Sequence, residues 1–128
     1  ANLHLMIGHK FIDHPSTNAK HQAAIHLNRA FDMHKHSKGY FPIYNPEYYV
    51  KLARLNLEAS EYCQQIYAFR NSGTLLRKGL SFVPLGEKWT QHFALTFKMT
   101  KLLAMMEFVV GNLTECKSVI QELLRQAH

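Results

Sequence analysis

Proline, glycine and cysteine are scarce in this 128-residue chain, with four, six and two copies. The two cysteines, Cys63 and Cys116, form no CxxC and no zinc-ligand spacing, which excludes a disulfide scaffold and a zinc-finger module. Both fall on apolar helical faces and suit small core fillers in a reducing compartment. Long hydrophobic runs are missing too. The most apolar stretch, Leu102 to Val110, carries Glu107 and falls far short of the ~20 residues of a membrane span. There is no Asn-Gly or Asp-Gly turn and no sustained alternation, so strands are not expected. The opening Ala1-Asn2-Leu3-His4 lacks the charged and apolar regions of a secretion signal. The chain is expected to be a cytoplasmic piece of a longer polypeptide.

Catalytic signatures are absent as well. Gly73-Thr74 and Gly79-Leu80 lack the lysine and spacing of a phosphate-binding loop, and no GxSxG occurs. The nine acids are spread thinly and make no paired catalytic carboxylates. No catalytic residue and no cofactor are expected. Seven of the nine histidines lie between His4 and His36. His4, His9 and His14 run at i,i+5, as do His21 and His26, and such positions do not share a helix face as metal ligands must. His34 and His36 have no nearby cysteine. A His-rich metal-binding bundle therefore stands only as an alternative, and solvated or capping histidines are the expected reading.

What is present is helical. Hydrophobic residues make up 47% and charged residues 19%, which fits one folded domain. The net charge is +6, but Arg77-Lys78 is the only adjacent basic pair, so a solvated basic surface is expected. A basic helical nucleic-acid-binding module is the alternative of a different class. Breaks occur at Pro15-Ser16-Thr17, across Ser37 to Pro46, at Val83-Pro84-Leu85-Gly86 and at Gly111-Asn112. Between them the periodicity predicts helices over 3–12, 18–35, from Pro46, about 66–82, about 87–110, and from Asn112 onward.

The third helix has the best-marked start: Asn45 as N-cap, Pro46 at the first helical position and Glu47 in the first turn. Its wet face carries the expected i,i+4 pairs Glu47–Lys51 and Arg54–Glu58. Its dry stripe is Tyr49, Leu52, Ala53, Asn56, Ala59, Ser60, Cys63 and Tyr67. The fifth helix is apolar around most of its circumference, with Trp89, Phe93, Phe97, Leu103, Ala104 and Phe108 on one stripe, and is expected at the centre of the fold. Glu107, on that helix, is expected to reach a basic side chain or a free backbone group. Asn112 and Glu115 form a capping-box variant for a sixth helix burying Cys116, Val119, Ile120, Leu123 and Ala127.

Antiparallel helix pairs invite a test for repeats. Ser72-x3-Leu76-x2-Gly79-x4-Pro84 has the second-helix spacing of a tetratricopeptide hairpin, with Ser60 at the small first-helix position. Ala104, Gly111, Cys116, Ile120 and Leu123 fit the same offsets further on. The expected hairpins are 1–36, 47–83 and 87–128, with 37–46 as a loop.

Eight segments point to a more definite likeness. They are His4-x2-Ile7-Gly8, His26-Leu27-Asn28 and Leu52-Ala53-Arg54-Leu55-Asn56-Leu57-Glu58-Ala59. Tyr67-Ala68, Leu76-x2-Gly79 and Trp89-x2-His92-Phe93-x-Leu95 follow. Ala104-x2-Glu107 with Gly111-Asn112, and Leu123-Leu124-x2-Ala127, complete the order. Together they resemble the tetratricopeptide-like helical region of very large sensor kinases. In those proteins a Ser/Thr-kinase-like domain and an AAA/STAND-type ATPase precede GAF and histidine-kinase modules. Ser60 stands where that family usually has Gly, and Cys63 and Ser72 where Ala is commoner.

The resemblance implies an all-α, right-handed array of about six helices. It also implies a non-enzymatic scaffold whose partners are neighbouring domains of the same chain or a protein or peptide segment. The catalytic residues of such proteins lie in other modules. Exposed terminal hairpins, at residues 3–12 and 119–127, predict self-association.

Overall fold

The computed structural model describes residues 2–11, 16–37 and 45–126. Residues 38–44 of the predicted 37–46 loop, His14, the side chains of His34 and His36, and Ala127 lie outside them, while Ser37 ends the second helix and Pro46 opens the third. The described residues form six α-helices and no strand: α1 (Asn2–Phe11), α2 (Thr17–Ser37), α3 (Pro46–Gln65), α4 (Phe69–Phe82), α5 (Phe93–Val109) and α6 (Leu113–Gln126). The extensive helix–helix contacts all join helices consecutive in sequence. No helix among the described residues is long and apolar enough to cross a membrane.

Local signals explain most boundaries. The Asn45 side chain accepts from the Glu47 amide at 2.9 Å and Pro46 opens α3. The α3–α4 turn is a Schellman motif. The Ala68 amide donates to the Cys63 carbonyl at 2.8 Å and the Tyr67 amide to the Gln64 carbonyl at 3.1 Å. The α5–α6 turn repeats it 44 residues on: Asn112 donates to Glu107 at 2.8 Å and Gly111 to Phe108 at 3.1 Å. The left-handed position is Tyr67 in the first turn, φ 61°, and Gly111 in the second, φ 86°.

Two expectations fail at α5. The helix begins at Phe93, not near 87. Leu85–Glu87 form a 3-10 turn instead, and the Thr90 and His92 amides both donate to the Glu87 carbonyl. Glu87 also meets the His92 imidazole at 3.3 Å. Trp89 therefore does not continue the α5 stripe. Its ring packs edge-on to Phe93, which stacks on Phe97 in a partly exposed aromatic row.

Nor is α5 the central helix. One core cluster joins Leu5, Ala23, Leu27, Leu52, Leu55 and Leu75 of α1 to α4. The other joins Ala53, Leu57, Leu76, Leu95, Met99 and Leu103 of α3 to α5. Only α3 and α4 contribute to both, and α3 packs in the middle of the order. Phe108, on α5, is 65% exposed. Tyr67, predicted on the dry stripe of α3, is 80% exposed because it sits past the helix end in the left-handed turn.

On α3 the wet-face acids reach across helices. Glu58 pairs with Lys20 of α2 at 2.7 Å and Glu61 meets Lys98 of α5 at 3.8 Å. Lys78 of α4 binds Asp32 of α2, and its ammonium sits 5.9 Å from the Phe82 ring centroid. These exposed pairs contribute about 0–1 kcal/mol each.

A close approach of α4 to the α3 backbone falls at Gly79. A Cβ there would lie 2.9 Å from the Asn56 Cβ and 3.2 Å from the Ala53 carbonyl oxygen, and would collide with the Met99 methyl. Met99 can swing aside, but the α3 backbone cannot. Gly79→Ala is therefore expected to cost about 1–3 kcal/mol, despite alanine's better helix propensity. Gly86 has no atom within 4 Å of an added Cβ, so Gly86→Ala should stay within about 0.5 kcal/mol. Urea denaturation midpoints of the two variants check the contrast.

Candidate interaction surface

The six predicted repeat positions gather around the two hairpin contacts. Ser60 is fully buried and donates to the Leu57 carbonyl at 2.6 Å. Ser72 is fully buried and its hydroxyl accepts from the Gln64 side-chain Nε2 at 3.2 Å. Gly79 lies against α3 as described. Ala104 and Cys116 are both buried and line the same groove between α5 and α6. Gly111 supplies the left-handed turn that joins those helices. Burial pushes the Cys63 thiol pKa up, so it is not an activated nucleophile.

The groove is the most distinctive surface. It encloses about 320 Å3 and is walled by Ala104, Met105, Phe108, Val109, Cys116 and Ile120, with no polar atom exposed in the wall. Its surroundings are apolar as well. Leu124 is 63% exposed, and Met105, Val109, Leu113 and Ile120 are also exposed. Apolar side chains scattered singly are normal on a surface, whereas a contiguous set marks a contact site. The sequence reading placed Ile120 in the core. It is exposed because no described element lies over that side of α6.

Glu107 anchors the hairpin behind the groove. Its carboxylate is nearly buried and accepts from the Asn112 side-chain amide at 3.0 Å. Arg77 of α4 stands 3.7 Å away and also binds Glu115 of α6 at 3.2 Å. Asn112 and Glu115 thus tie α6 to α5 and α4, where the sequence suggested a local capping box. The expected basic partner for Glu107 is Arg77.

A second cleft, of about 490 Å3, lies between α4, α5 and α6. Leu80, Trp89, Leu103 and Val119 supply its apolar wall, and Lys88 and Arg125 its cations. Arg125 is engaged by Glu122. The Thr96 hydroxyl near its floor is buried without a hydrogen-bond partner.

The histidines assemble across helices, which spacing along one helix could not reveal. His4 of α1 and His26 of α2 meet through their Nδ1 atoms at 2.8 Å, with rings stacked 5.1 Å apart. His9 Nε2 meets the Tyr48 hydroxyl at 2.5 Å, and His21 packs on the Tyr62 ring. Burial, with Tyr49 adding to it, pushes the Tyr48 phenol up to about 12. No three His, Cys, Asp or Glu side chains among the described residues come together as a metal site.

No protein family, curated protein or solved structure matches the chain.

Burial holds the pKa of His26 below its ordinary 6.5, with His4 and Arg29 adding to the effect. Burial, then Lys51, lowers His9, and burial lowers His21. The unfolded chain takes up these protons near pH 6.5, while the folded chain resists them until lower pH. Their stabilising contribution is thus complete above that pH and is lost as pH falls toward the folded values. The urea midpoint is expected to drop between about pH 7 and pH 5, and less steeply in a His4→Gln/His26→Gln variant. Equal slopes for the two proteins would show that the imidazole pair does not carry the effect.

Proposed function

We propose that the chain is a non-enzymatic scaffold module, a TPR-like right-handed array of helical hairpins. It couples neighbouring domains of a large cytoplasmic signalling ATPase or histidine kinase. The observation that carries this reading is the contiguous apolar face of α5 and α6 around the groove at Cys116. A surface of that chemistry gains free energy by being covered, at about 25 cal/mol per Å2 of apolar area removed from water. It offers nothing to a polar reaction.

The repeat reading draws support from the two Schellman turns 44 residues apart. It is also supported by the burial of Ser72 and Cys116 at equivalent places after them. Helices whose extensive packing is on their sequence neighbours behave as a stack of units. Such a stack bends as a semi-rigid spring and passes strain from one flanking domain to the next. The resemblance to the helical region of sensor kinases supplies the parent context.

Binding of fluorescent amphipathic helical peptides, followed by anisotropy, tests the reading. Saturable micromolar binding is expected, weakened tenfold or more by Phe108→Glu, a cost of about 1.4 kcal/mol. Failure of every peptide to bind, together with ATP turnover that a point substitution within the chain abolishes, would contradict it.

A further inference from the structure

The 44-residue recurrence makes α4 and α6 directly comparable. Leu76 and Leu80 on α4 correspond to Ile120 and Leu124 on α6. Leu76 is 0% exposed, because α5 lies across α4. Met99 of α5 fills the space at Gly79, and the Met106 Cβ lies 3.7 Å from where a Cβ of Gly73 would be. Ile120, by contrast, is 42% exposed and Leu124 63%. The face that α5 covers on α4 is open on α6. The interior of the molecule therefore defines what fits this face: an amphipathic helix presenting large apolar side chains.

We propose that a second copy of this chain supplies that helix, the two α5–α6 faces meeting about a two-fold axis. The proposal rests on reading the face as an interaction surface and names its occupant. Three observations favour a second copy.

The patch is self-complementary. It carries an apolar groove and, in the wall of that groove, a Phe108 ring that is 65% exposed. A two-fold axis lets each copy insert Phe108 into the other's groove, as an isologous contact requires. The area is also sufficient. Covering Met105, Phe108, Val109, Leu113, Ile120 and Leu124 on both copies removes on the order of 1,200 Å2, the lower edge of stable interfaces. Charge does not oppose it. Glu115, Lys117, Glu122 and Arg125 balance along α6, so two copies of this helix meet without net repulsion although the chain is +6 overall.

Multi-angle light scattering of the full chain over a micromolar concentration series tests the proposal. The expected mass is twice that of the chain. Phe108→Glu/Ile120→Glu should return it to the monomer with an unchanged far-ultraviolet circular dichroism spectrum, since both side chains are exposed. A monomer at every concentration overturns the proposal, as does a dimer that survives both substitutions. Larger, open-ended assemblies overturn it too, because a two-fold contact closes. A monomeric chain that still binds helical peptides through Phe108 refutes the second copy while leaving the interaction surface in place. A chain that neither dimerises nor binds such peptides refutes both.

Discussion

The fold depends on the crowded junction around Asn56. Its side chain is fully buried in the middle of α3. It exchanges two hydrogen bonds with Asn28 of α2: Asn28 Nδ2 donates to Asn56 Oδ1 at 2.7 Å, and Asn56 Nδ2 donates back to Asn28 Oδ1 at 3.2 Å. Asn56 Nδ2 also donates to the Leu52 carbonyl at 2.9 Å. Its Cβ is the wall against which Gly79 of α4 is pressed, and Met99 of α5 closes the other side of Gly79. Four helices thus meet around one junction. A buried amide is tolerated only when its donors and acceptor are satisfied, so this pair admits one register of α2 on α3.

Two apolar clusters share α3 and α4, one reaching α1 and the other α5. Tight packing also needs small residues at the crossings. Ala53, Ala59 and Ser60 on α3, with Ser72 and Gly79 on α4, let the backbones approach and bury those residues almost completely. Ion pairs such as Lys20–Glu58 and Lys78–Asp32 stand at the edges of these contacts and orient them more than they stabilise them. The packing becomes one-sided at α6. Cys116 is its only buried residue, although the apolar stripe continues through Ile120 and Leu124. The same physical rule that closes the α3–α4–α5 core therefore leaves the α5–α6 face uncovered.

Much of this organisation is legible in the residues. Asn45-Pro46 sets the start of α3 through a cap and a fixed φ, both local effects. Gly111-Asn112 marks a turn because the left-handed position favours glycine. The small residues Ser60, Ser72 and Gly79 betray a close crossing through their spacing alone. At the equivalent turn a break near Ile66 is legible, but the left-handed position at Tyr67 is not, since a tyrosine gives no such sign. The run from Trp89 to Phe93 misleads because its apolar spacing is helical, while the Glu87 carbonyl holds the backbone in a turn. The His4–His26 contact joins helices that no single-helix spacing relates. The open face was the least visible feature. Ile120 reads as a core residue from sequence, and only the tertiary arrangement shows that nothing described covers it or the neighbouring Leu124.

The most direct measurement is a double-mutant cycle on Asn28 and Asn56, using Asn28→Ala, Asn56→Ala and the double variant, with stability from urea denaturation. If this buried pair fixes α2 on α3, the two substitutions couple by about 1 kcal/mol or more. Each single variant then loses most of what the double variant loses. Strict additivity, with a coupling near zero, would contradict the junction at Asn56 as the constraint that organises the fold.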